Sequence, residues 1–396
     1  MTRHMLSLVT LLATAAWVPS FGTPVVEPPA PVPAQVATVE ATAEPVVAKP
    51  LPREVGTPSD PVLPELATRA VRATFFGSLR PTFAMIQRDT PAARDRLTYG
   101  LGGSRVDLGL DAAAGAGVSA LLYVRVASED GEGRIELDRA LVRYEPTRFL
   151  RFGVGRDKVP LSAQSATPTA ARLFPTRIAL DDTFVRPIDV GASASVVTDK
   201  VTTIAGVWNG AGGDAMLEPG ATERGLIYAA RVEVTPLGAF AFDETKTSDQ
   251  LKLALGAGAS YRAATAFTPA GNAGTRSRDL RATASVRVGW RGLYAQAEVL
   301  RRQITDDLSM RPDVATGGYV QASWQLSTHG VGIGPLFRAG VERVRQLSAP
   351  ATGSSVEAGA MISPARRLQI VALFGRIAEP DTEVAQQLTT QIRVPF

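Results

Sequence analysis

The sequence predicts an all-β fold, a sixteen-stranded antiparallel transmembrane β-barrel. Three observations predict it. From residue 72 onward the chain breaks into segments of about ten residues whose apolar and polar side chains alternate with period two. The links between segments alternate between tight turns and long polar stretches, the asymmetry of barrels with short turns at one end and long loops at the other. After the first 22 residues no apolar run is long enough for a spanning helix, so a bilayer could be crossed only by a closed barrel.

Residues 1–22 read as a signal peptide. "MTRH" is a basic start, "MLSLVTLLATAAWV" an apolar core and "VPSFG" a stretch with small residues for cleavage. Residues 23–65 hold eleven of the 28 prolines and no aromatic residue, a composition that builds no packed core; a disordered, Pro-rich periplasmic tether is expected. The tether carries two basic and six acidic residues, whereas 66–396 has 39 basic and 32 acidic, so the positive excess belongs to the barrel. That excess is nearly all arginine, 35 Arg against four Lys.

Strands are expected near 72–84, 103–112, 117–127, 134–144, 148–156, 189–198, 201–209 and 224–235, then 251–262, 278–290, 292–302, 317–327, 335–346, 354–362, 367–377 and 386–396. Links after even-numbered strands are tight, such as "AAGA", "EPT" and "SPAR"; links after odd-numbered strands are long, such as "IQRDTPAARDRLTYGLG" and "SEDGEGR". One link, "PLGAFAFDETKTSDQ" after strand 8, is long where a tight turn is expected. In "DLRATASVRVGW", Leu280, Ala282, Ala284, Val286, Val288 and Trp290 share one face and Arg281, Thr283, Ser285 and Arg287 the other. Trp208, Trp290, Trp324, Tyr144 and Phe396 fall at or near strand ends, where interfacial aromatic girdles belong. A soluble β-sandwich would also alternate, but its core draws on bulkier residues than the Ala, Val and Gly found here. In the last strand, Leu388, Ile392, Val394 and Phe396 oppose Gln387, Thr389, Gln391 and Arg393. This strand is expected to close the barrel, with its apolar face toward outer-membrane lipid.

A barrel of sixteen strands leaves a water-filled lumen, so transport is expected. Catalysis is not: the chain has no cysteine and only two histidines, His4 and His329, which excludes thiol chemistry and leaves almost nothing for histidine acid–base work. No metal, cofactor or nucleic-acid partner is expected. Inward parity collects Arg125, Arg143, Arg151, Arg231, Arg281, Arg287, Arg338 and Arg393. Their guanidinium groups stay charged and fork onto oxyanions, and rings of such charge favour anions. Lumenal Glu233, Glu298, Glu342 and Asp138 are expected to neutralise about half of them. The longest link, 157–188, follows strand 5, neither alternates nor forms a clear helix, and is expected to fold inward and narrow the bore. Arg156, Lys158, Arg172, Arg177 and Arg186 are its candidate anion-binding residues.

"RFLRFGVGRDKVPLSAQSATPTAARLF", "RPIDVGASASV" and "IAGVWNGAG" resemble the phosphate-selective porin O and P family, at Gly155, Lys158, Pro160, Arg186, Asp189, Gly191, Asn209 and Gly210. The likeness is carried by residues 148–212 and is architectural elsewhere. It implies a homotrimeric channel of the bacterial outer membrane, with a third loop forming the constriction, an arginine ladder and a lysine cluster drawing small anions inward. It also implies that Phe396 is part of a signal read by the barrel-assembly machinery. The chain departs from the family in having few lysines and in the Pro187–Ile188 insertion of "RPID". The reading is therefore a porin for passive diffusion of small solutes, anion-preferring toward phosphate-like oxyanions. The alternatives are a general or other-solute porin, or a plugged adhesion or envelope-anchoring barrel whose tether reaches peptidoglycan.

Overall fold

A computed structural model describes residues 72–89, 96–101, 104–129, 132–186, 188–210, 223–245, 248–267, 273–307, 312–328, 331–345, 350–365, 368–378 and 384–396. The expected signal peptide (1–22) and tether (23–65) lie outside the described residues, as does His329.

The described strand segments form sixteen staves. They are β1 (Arg72–Arg80 with Thr82–Asp89), β2 (Arg96–Gly100 with Ser104–Gly115), β3 (Val118–Glu129), β4 (Glu132–Tyr144), β5 (Leu150–Lys158), β6 (Ile188–Val197), β7 (Val201–Trp208) and β8 (Glu223–Arg224 with Ile227–Val234). The second half adds β9 (Lys252–Phe267), β10 (Ala273–Trp290), β11 (Leu293–Asp306), β12 (Asp313–Trp324 with Leu326–Thr328), β13 (Val331–Arg345), β14 (Pro350–Ala365), β15 (Leu368–Ala378) and β16 (Val384–Pro395). Each stave pairs antiparallel with the next, and β16 returns to β1 through Ser78↔Pro395 and Thr82↔Gln391. Gly77 and Phe396 exchange both backbone hydrogen bonds, at 3.0 and 3.1 Å, which stitches the seam. The barrel is closed, so no sheet edge is left unpaired.

Polarity is inverted relative to a soluble domain. Outward positions such as Val142, Val232, Leu280, Val299, Val320, Val341 and Phe374 are exposed, while the inward partners in the same strands include buried Arg231, Glu233, Arg287, Gln296, Glu298, Gln321 and Arg338. Tyr144, Trp290, Trp324 and Phe396 are exposed at strand ends, as expected. Trp208 is not: it shares inward parity with Ile204 and packs, buried, against Val159, Ile227 and Ala229.

The tight turns are as short as the sequence implies. Ala116–Gly117 and Arg291–Gly292 have positive φ at both residues, the geometry whose twist suits a two-residue hairpin. The long-link rhythm is weaker than expected. β3 reaches Glu129 and β4 starts at Glu132, so "SEDGEGR" is mostly strand, and β9 and β10 run 16 and 18 residues. Polar residues that look like loop in the sequence continue the ladder above the apolar band.

Candidate functional site

Residues 159–186 turn in against the inner wall. Late in β5, before the loop leaves the wall, Gly155 has a φ of +137° and lies so close to the Ala140 carbonyl that a side chain is excluded. At the other end the Asp189 carboxylate accepts the Val190 amide at 2.7 Å and the Gly210 amide at 2.6 Å, tying the loop's exit to the end of β7. Inside, the chain forms two short helices, α1 (Ala163–Ala166) and α2 (Asp181–Phe184). Ser162 and Ser165 cap α1 reciprocally.

A loop buried in a lumen carries carbonyls that no ladder satisfies. Six wall arginines satisfy them. Arg231 donates to Leu161, Arg338 to Thr176 and Arg302 to Thr183, each at 2.9 Å, and Arg281 donates to Val185 at 2.8 Å. Arg393 donates to both Arg172 and Leu173, and Arg80 to Thr169 at 3.3 Å. Thr283 adds a second bond to Leu161 at 2.9 Å, and Glu298 accepts the Ala163 amide at 2.9 Å. The apolar side chains of the loop lean the same way. Leu173 and Phe174 pack with Tyr294, Leu336, Met361, Val371 and Leu373, and Ile178, Leu180 and Phe184 pack with Leu300, Ala315, Tyr319 and Val344.

A second segment enters from the tight-turn end. This is the long link after β8, which reaches the loop rather than lying outside the barrel. Its Glu244 is buried and accepts the Leu173 amide and the Gln321 amide, both at 2.9 Å, while its own N–H donates to Ala171 at 2.9 Å. Burial raises the Glu244 carboxyl above its ordinary range, and the two donors only partly offset this. Arg287 donates to the Ala241 carbonyl at 2.9 Å and lies over the rings of Phe240 and Phe242.

Both segments fill the β9–β16 side and leave a cleft of about 400 Å³ against β4–β8. Its charged lining is Arg139, Arg143, Arg151, Lys158 and Arg231 with Glu145, Asp157 and Glu233, and Ser165, Ser193, Ser195 and Thr202 add hydroxyls. Five cations therefore face three carboxylates, and each carboxylate is already held: Arg139–Asp157 at 2.6 Å, Arg151–Glu145 at 2.9 Å, Arg231–Glu233 at 3.4 Å. Among the described residues Arg143 and Lys158 have no carboxylate in ion-pair range; Lys158 donates to the Thr167 carbonyl at 3.2 Å.

The predicted residues divide accordingly. Lys158, Arg143, Arg151 and Arg231 line the cleft. Arg125 joins Asp107, Glu136 and Asp138, Arg281 joins Asp279, Arg287 joins Glu233 and Arg338 joins Glu357, all in the wall. Arg172 is buried with its side chain on the Thr167 carbonyl, Arg186 is buried on Asp279 at 2.9 Å, and Arg177 meets Asp181 at 3.5 Å. Arg156 precedes the loop and is not in the cleft lining. Arg139 is missing from the sequence reading because a β-bulge between Tyr123 and Val124 pairing puts both Asp138 and Arg139 inward, breaking strict alternation.

No family model matches the chain, and no curated protein matches it in sequence. Solved structures match its fold. An anion-selective porin from Comamonas acidovorans superposes with a TM-score of 0.57 at 15% identity, over 82% of this chain and all of that one (100%). OmpT, an outer-membrane protein of Vibrio cholerae, gives 0.56 at 12% identity over 84% and 99%. The outer-membrane channel DcaP of Acinetobacter baumannii gives 0.57 at 8% identity over 82% and 97%.

Proposed function

We propose that this chain is a porin of the bacterial outer membrane, exported by its first 22 residues and homotrimeric, through which small anions diffuse passively along the cleft beside β4–β8. One observation carries the reading: the cleft's three carboxylates are each ion-paired, and Arg143 and Lys158 remain as its excess positive charge. In a narrow, low-dielectric passage such excess charge concentrates counter-ions. The cleft's serines and threonine offer donors to phosphate-like oxyanions without fixing one geometry. That one structural neighbour is described as an anion-selective porin supports the reading.

The test is reconstitution in a planar bilayer under a salt gradient. An anion-signed reversal potential is expected, with partial block of chloride current by inorganic phosphate. A cation-signed potential overturns the anion preference. The second reading, a plugged scaffold, is favoured by the meeting of the two inward segments at Glu244, Ala171 and Leu173. A folded, inserted barrel without conductance would select it.

A further inference from the structure

The wall outside the lumen carries a second cationic site. A groove of about 430 Å³ on the outer face of β11–β13 is lined by Arg301, Pro312, Val314, Thr316, Arg343 and Arg345. Alternation places these side chains outward. In β11 Val299 and Arg301 are exposed while Leu300 between them is buried, and in β13 Val341, Arg343 and Arg345 are exposed while Glu342 and Val344 are buried. Register sets them side by side: Arg301 and Arg343 both pair with Thr316, and Arg345 pairs with Val314. Neighbouring strands lie roughly 5 Å apart, so Arg301 and Arg343 flank Thr316 about 10 Å from one another, within reach of one head group.

No carboxylate lines the groove, and among the described residues none forms an ion pair with these three arginines. Its floor is firm, since Leu300, Ala315 and Val344 pack from the inside against Ile178, Leu180 and Phe184. Directly along the same strands lie Val299 and Val341, 61% and 54% exposed, at the edge of the apolar band. The cations thus stand one alternation step beyond the apolar surface, toward the long-link end.

We propose that Arg301, Arg343 and Arg345 bind the phosphate groups of a phosphorylated glycolipid in the leaflet at that end, an inference that rests on the barrel's insertion in a membrane. Guanidinium forks match phosphate oxygens bidentately, and acyl chains below can lie on Val299 and Val341. Free phosphate gains only a screened surface attraction, so the combination of charge and apolar surface selects a lipid.

The test is native mass spectrometry of the full chain in detergent with a bisphosphorylated glycolipid and its dephosphorylated form. Wild type, R301Q/R343Q/R345Q and R301K/R343K/R345K are compared, with heat-dependent gel migration confirming the folded barrel. The Gln variant should lose roughly tenfold in affinity for the phosphorylated lipid, the Lys variant much less, and the dephosphorylated lipid should not discriminate. Should the triple variant not fold, the single Gln variants, each losing roughly two- to threefold, decide the matter. Equal lipid binding by the Gln variant, displacement of lipid by equimolar inorganic phosphate, or loss of the oligomer rather than of lipid (a second copy as occupant) would overturn the proposal. Conductance of the Gln variant should match wild type; a wild type that binds the lipid but does not conduct overturns the channel reading and leaves the lipid site standing.

Discussion

Arginine serves two distinct purposes in this lumen, and the neighbours of each residue separate them. Arg231, Arg281, Arg338 and Arg393 point inward as alternation predicts, yet their donors are spent on loop carbonyls and, for the first three, on carboxylates. All four hold the loop, and the three that are paired with carboxylates contribute little net field. Arg143 and Lys158 have no such carboxylate among the described residues, so they should set selectivity. R143Q/K158Q is expected to lower the anion-to-cation permeability ratio several-fold with conductance changed less than twofold, as read from reversal potentials. E145Q, which releases Arg151, should move the ratio the other way. R338M is expected to leave selectivity near wild type but to orphan the Thr176 carbonyl and Glu357, at about 1.5–3 kcal/mol for a hydrogen bond to a charged group, visible as faster proteolysis of the loop. Parity alone made the inward arginines legible in the sequence. Which of them would be neutralised was not, because partners such as Asp107 and Glu357 come from neighbouring strands whose register no local pattern reveals, and the bulge at Asp138 hid Arg139.

At the scale of elements, two inward segments shape the passage, and the sequence announced them unequally. The link after β5 is long and lacks a period, and those signals are the ground for expecting it inside. The link after β8 stood out only by its length. Its route into the lumen depends on tertiary partners: Phe240 against Tyr294, Arg287 on its carbonyls and Glu244 on the loop. Glu244 makes this segment sensitive to pH. Its carboxyl is raised when docked, chiefly by desolvation, so the docked state binds its proton more tightly than the released state does. Docking is therefore favoured fully below the ordinary carboxylate range and weakens as pH climbs through the raised value. Single-channel current should be quieter and smaller at acid pH and noisier or larger at neutral pH. E244Q, fixed neutral, should flatten that dependence; a wild-type conductance independent of pH would count against Glu244 as the latch.

For the molecule as a whole, the decisive property is which medium each face of the barrel meets. Sixteen antiparallel staves closed at β1–β16 put buried charge and amide groups inside and leave valine, leucine and aromatic side chains exposed outside. Alternation, link asymmetry and composition made this arrangement readable, since a period of two with one apolar face specifies register wherever that face is committed to one medium. The lengths of β9 to β14 were less readable, because above the apolar band both faces turn polar and the pattern fades while the hydrogen-bonded ladder continues. A pair of neighbouring outward positions tests the assignment. Val299 is 61% exposed, and if water surrounds it, V299R costs almost nothing and removes an unfavourable apolar patch. If hydrocarbon surrounds it, the same change at the edge of the apolar band costs part of the about 2–4 kcal/mol that it would cost at mid-depth. Arg301, two residues along the same face, already carries the charge, so R301V should shift stability by no more than about 1 kcal/mol near the interface. Reversible denaturant titration of the barrel folded into lipid vesicles measures both. The expected result is a measurable penalty at 299 beside near-indifference at 301, since a depth gradient over one alternation step exists at a lipid boundary and does not exist around a sandwich in water.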